Sequence, residues 1–73
     1  MNLTRLQRDC VRHAAFMPLK REGRRYIASG GRSFSTVTVE SLKGHCLLKS
    51  VYMGADITED GRALADELGG AVR

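Results

Sequence analysis

The stretch "TVTVESLKGHCLL", residues 36–48, constrains this chain more than any other. Its β-branched opening suits a strand, and Val37 and Val39 fit the two-residue alternation that a half-buried strand needs. That alternation fails at Ser41 and Leu42. Val39, Leu42 and Cys46 instead recur at intervals of three and four, the spacing of one helical face. Ser33 and Ser35 stand just upstream, and either hydroxyl can accept from an orphan N–H at a helix start. The spacing therefore predicts a helix over about residues 36–44, despite the modest helix cost of Val and Thr. Leu47–Leu48 then opens a strand through Val51–Tyr52, Met53–Gly54 turns, and Ala55–Ile57 returns.

The flanks follow from the same reasoning. Leu3, Leu6, Cys10, Val11 and Ala14 make an apolar helical stripe, with Arg5, Arg8, Asp9 and Arg12 on the other face. Asn2 or Thr4 can cap that helix, and Pro18 stops it near residue 16. In "PLKREGRRYIASGG", Leu19 and Tyr26–Ile27 flank a polar centre with Glu22–Gly23, which reads as a hairpin. Gly30–Gly31 then makes a corner. In "ITEDGRALADEL", Thr58 is an N-cap and Glu59 and Asp60 complement the helix dipole. Gly61, Leu64, Ala65 and Leu68 form the packing stripe, Gly69–Gly70 ends the helix, and Gly61 marks a close approach to another element. The expected architecture is α+β: helix, short strands, helix, β-hairpin, helix, in one domain spanning residues 1–73.

With 73 residues the chain lies near the lower limit for a self-sufficient core, and at 5% aromatic that core must be mostly aliphatic. No apolar run approaches the roughly 20 residues that cross a bilayer, and the N-terminus lacks a signal-peptide hydrophobic region. A reduced, cytoplasmic setting is therefore expected, with Cys10 and Cys46 as buried, inert thiols. Two Cys and two distant His supply no metal site. The net charge of +4 is unevenly spread. Residues 1–36 carry eight Lys/Arg against Asp9 and Glu22, a balance of +6, whereas residues 37–73 carry four against six acids, a balance of −2. Such asymmetry favours a polyanionic partner on one face.

Two motifs carry a resemblance. "TVESLKGHCLL" (Thr38–Leu48) resembles the recognition-helix exit of small bacterial and phage winged helix-turn-helix domains, and "DITEDGRALADEL" (Asp56–Leu68) is similar to the wing's return strand and following helix. Both together cover about a third of the chain. The resemblance implies a compact winged-helix-like domain that binds double-stranded DNA as a transcriptional regulator or a phage or prophage accessory factor. It makes Thr36–Lys43 the recognition helix, with Thr36, Glu40 and Lys43 outward, Ser41 near the edge, and the turn at Met53–Gly54 as the wing. Ser33 and Ser35 would supply hydroxyls for phosphate contact, and Arg24, Arg25 and Arg32 would grip the backbone. Where the family has a turn glycine this chain has Cys46, and "REGRRYIASGG" reads as strands where the family has its second helix.

The rival expectation is a protein-interaction module of the same fold, as a homodimer or an adaptor, without DNA binding. An enzyme is not expected. His13 and His45 sit in no motif with a nucleophile, the scattered Ser and Thr residues are better used as caps and turns, and no nucleotide loop or cofactor-binding pattern is present.

Overall fold

The computed structural model describes residues 3–71, an α+β domain of three helices and an antiparallel sheet of five strands. Helix α1 spans Arg5–Phe16. Thr4 caps it: its hydroxyl accepts from Gln7 N at 3.1 Å while Gln7 Oε1 accepts from Thr4 N at 2.9 Å, so two orphan donors are satisfied reciprocally. Asn2, the other candidate cap, lies outside the described residues. Cys10, Val11, His13 and Ala14 form the buried face. Leu6, expected on that stripe, is exposed instead, and His13 takes an inward place beside Phe34.

Strands β1 (Leu19–Glu22) and β2 (Arg25–Ile27) form the expected hairpin, with Glu22 opposite Arg25 across the Gly23–Arg24 turn. A single 3-10 turn over Ser29–Gly31 makes the glycine corner. It delivers the chain into β3 (Ser33–Ser35), a strand the sequence reading did not anticipate, which pairs with β2 through Tyr26↔Phe34. Three residues are too few to display a period; only the pairing with β2 makes this segment a strand.

Helix α2 spans Thr36–Gly44, as its apolar spacing predicts, and buries Thr38, Val39 and Leu42. Strands β4 (Leu48–Val51) and β5 (Gly54–Ile57) follow as a hairpin whose turn residues are Tyr52 and Met53. Helix α3, Glu59–Glu67, is capped by Thr58, whose hydroxyl accepts from Gly61 N at 3.0 Å. The close approach expected at Gly61 is present: a Cβ there would collide with Leu47 O and lie 2.7 Å from Ile57 Cγ1. Only a residue without a side chain lets α3 settle onto the entry to β4.

The sheet order is β3-β2-β1-β5-β4, so β1 bridges the two hairpins through Leu19↔Ala55 and Lys20↔Gly54. Alternation places Leu19, Tyr26, Phe34, Leu48, Ala55 and Ile57 on one face, all buried under the helices. Each large member of this set contributes about 1.5–3 kcal/mol by burial. Lys20, Glu22, Arg25 and Lys49 lie on the opposite face, exposed. Helix α3 is tied to α1 by Arg12 Nε donating to Gly70 O at 2.9 Å.

The two cysteines differ. Cys10 is buried, and burial pushes its thiol up to about 12, so it stays protonated and inert as expected. Cys46 is exposed, which corrects its expected place on the apolar face of α2. It sits at φ +62°, just past the helix C-cap His45, where Cys46 N donates to Lys43 O at 3.0 Å and Leu47 N to Leu42 O at 3.0 Å. That pair of bonds is the left-handed helix stop usually built on glycine, and the reversed backbone turns the thiol outward.

Candidate nucleic-acid interface

The residues expected at a DNA contact fall into two groups. Arg24 and Arg25 belong to the β1–β2 hairpin, where Lys20 and Arg21 are their neighbours. All four cations are exposed, and among the described residues none is in an ion pair. Among the described residues, the only hydrogen bonds from their side chains are Arg21 Nε to Gly23 O at 3.3 Å and Arg25 Nε to Ser33 Oγ at 3.0 Å. Glu22 is the single acid in the hairpin. Lys20 and Arg21 lie outside the expected contact set, although "KREGRR" carries two cations on each side of the turn and so shows the cluster in the sequence.

The second group is spent within the protein. Arg32 Nη2 donates to Asp9 Oδ2 at 3.2 Å, and its guanidinium lies 5.3 Å from the centre of the Phe34 ring, so it fastens the glycine corner to α1. Ser35 is the N-cap of α2: its hydroxyl accepts from Thr38 N at 3.3 Å and lies 3.1 Å from Thr38 Oγ1. Ser33 stands in β3 and accepts from Arg25. Of the two candidate caps, the one adjacent to the helix is used, because only its hydroxyl is within reach of the first-turn N–H groups.

Lys43, the one cation of α2, folds back onto the protein. Its Nζ donates to Glu40 Oε1 at 3.2 Å and to Tyr26 OH at 3.5 Å, and it lies 5.7 Å from the centre of the Tyr26 ring. Burial alone would lower the Lys43 ammonium, but the bonds to Glu40 and Tyr26 outweigh it and hold the group above its ordinary value. Ser41 is turned towards α1, where Gln7 Nε2 donates to its hydroxyl at 2.9 Å. The outward side of α2 is therefore Val37, Glu40 and Gly44 flanked by Thr36, with Val37 77% exposed.

Register brings the two groups together. Arg25 is directly opposite Ser35, the residue that opens α2. Paired strands lie about 4.8 Å apart, so the cationic hairpin flanks the N-terminal turn of α2. Arg24 and Arg25 thus stand next to the exposed start of α2, with Lys20 and Arg25 on the sheet face opposite the helices and Arg21 on the face that the helices cover. Among the described residues no cluster of three or more His, Cys, Asp or Glu could hold a metal, and no helix is long and apolar enough to cross a membrane. Comparison with protein-family models, with curated proteins and with solved structures finds no match to this chain.

Proposed function

We propose that this is a small winged-helix-like DNA-binding protein that grips duplex phosphates through its β1–β2 hairpin and lays the first turn of α2 towards the groove. The observation that carries this reading is the set of four exposed, unpaired cations, Lys20, Arg21, Arg24 and Arg25, in one hairpin beside the start of α2. Guanidinium groups suit phosphate oxygens because their fork of donors matches the anion's geometry. Thr36, Val37 and Glu40 are the groups α2 offers to base edges. Val37 suits a thymine methyl, and Glu40 can accept from a cytosine amine. A regulatory role in bacterial transcription, or an accessory role in a phage, and a cytoplasmic setting accompany this reading.

Fluorescence anisotropy with a labelled duplex of about 20 base pairs tests it. Three or four phosphate contacts give a log K against log salt slope of about −3 to −4, and Arg24→Ala/Arg25→Ala makes that slope shallower by about 2. Lys43→Ala leaves the slope nearly unchanged, since that ammonium is already neutralised by Glu40. Folded protein in excess that fails to bind at low ionic strength ends the proposal.

A second reading, a protein-interaction module of the same fold, draws on the apolar groups left in solvent: Val37 at 77%, Tyr52 at 94% and Met53 at 58% exposure. A stable protein complex without any DNA affinity favours it over the first.

A further inference from the structure

The tip of the β4–β5 hairpin and a groove at its base are complementary. The tip presents Tyr52, almost wholly in solvent, and Met53, more than half exposed. The chain has only four Phe and Tyr residues, and it buries Tyr26 and Phe34 while leaving Tyr52 outside. Cations stand beside this apolar point. Lys20 pairs with Gly54 in the sheet, Arg21 N donates to Met53 O at 2.7 Å, and exposed Lys49 lies on β4.

The groove lies between the exit of α2 and helix α3. Leu47, Ala63 and Leu64 are its apolar lining, with His45, Asp60 and Glu67 completing it, and its volume is about 270 Å³. That is just below the roughly 300–1,000 Å³ of small-molecule pockets and suits one inserted side chain. Glu59 and Asp66 add exposed negative charge along the same helix. The groove and tip thus match as hole and knob in size, in polarity and in the sign of the surrounding charge.

They cannot meet within one molecule. Leu47 opens the groove and Tyr52 tops the hairpin, and the five residue-to-residue steps along β4, at about 3.3 Å each, hold them about 16 Å apart. We infer that the groove receives the Tyr52–Met53 tip of a second copy of this chain, in a head-to-tail contact. Such a contact uses two different patches and so propagates into a ring or an open array. A single-knob contact is smaller than a standard interface and associates weakly. The inference shares Lys20 and Arg21 with the proposed DNA contact but not Arg24 and Arg25, and the two are told apart by testing self-association without DNA.

The test is sedimentation of the purified chain in reductant, without DNA, over micromolar to millimolar concentration. Mean mass should rise with concentration at about 50 mM salt and less so at about 1 M, where charges are screened. Tyr52→Asp at the tip and Ala63→Arg in the groove should each weaken association about tenfold or more. Both positions are exposed, circular dichroism checks their folding, and Glu67→Lys is the substitute groove variant. Mixing the two variants should restore a two-chain species, because one keeps an intact groove and the other an intact tip. A monomeric parent chain at every concentration overturns the inference. So does a mixture of folded variants that stays monomeric, or a Tyr52→Asp protein that associates like the parent.

Discussion

Cys46→Gly should stabilise this protein. Cys46 holds φ +62° at the stop of α2, a conformation that costs a side-chain-bearing residue about 1–2 kcal/mol. Glycine removes that cost but gives back about 0.4–1 kcal/mol through the greater freedom of the unfolded chain. The thiol is exposed, so little burial is lost. The Cys46 carbonyl, which accepts from Thr58 Oγ1 at 2.7 Å, is unchanged. A net gain of about 0.5–1 kcal/mol remains, which for a domain of this size raises Tm by about 2–8 °C. Helix α3 supplies the internal comparison. Its stop has the same two bonds, Gly69 N to Asp66 O and Gly70 N to Ala65 O, and places Gly69 at the equivalent position with φ +107°. Thermal melts by circular dichroism in reductant measure the effect, with Cys46→Ala as the control that keeps a Cβ and should shift Tm little. An unchanged or lowered Tm for Cys46→Gly would show that φ at this stop is not the cost argued here.

Three further outcomes are expected. Gly61→Ala should lose at least about 2 kcal/mol in urea unfolding, because overpacking against Leu47 O and Ile57 outweighs the roughly 1 kcal/mol helix advantage of alanine. Ser35→Ala should cost about 1 kcal/mol of stability and Ser33→Ala much less, since only Ser35 caps α2; equal losses would contradict the capping assignment. Stability should fall on acidification through about pH 6.5. Burial, then the charges of Arg32 and Arg12 against that of Asp9, set the His13 imidazole below its ordinary 6.5, and its buried Nδ1 has no hydrogen-bond partner among the described residues. The unfolded chain therefore takes up a proton that the folded one resists, so stability is full above about 6.5 and declines below it towards the lower folded value. Urea unfolding at pH 7.5, 6.5 and 5.5 measures this, and His13→Gln should flatten the dependence.

Local signals made most of the architecture legible. A cap beside an apolar stripe placed α1, α2 and α3, because such signals act within one turn of helix and need no distant partner. The same holds for the hairpin at Glu22–Gly23 and for the glycine at Gly61. Strand β3 was not legible, since three residues become a strand only when Tyr26 finds Phe34 across the ladder. Nor could spacing alone reveal that Cys46 leaves the apolar face, because the reversed backbone at the helix stop decides its direction.

The candidate interface divides in the same way. The sequence by itself determined the charge supply, with eight Lys/Arg in the first 36 residues against two acids. Only the tertiary structure decided which cations stay free. Folding brings Asp9 to Arg32 and Tyr26 to Lys43, while Lys20, Arg21, Arg24 and Arg25 meet no carboxylate among the described residues. An ion pair needs its partners within a few ångströms, and for residues far apart in the chain that distance is set by the packing of the sheet against the helices.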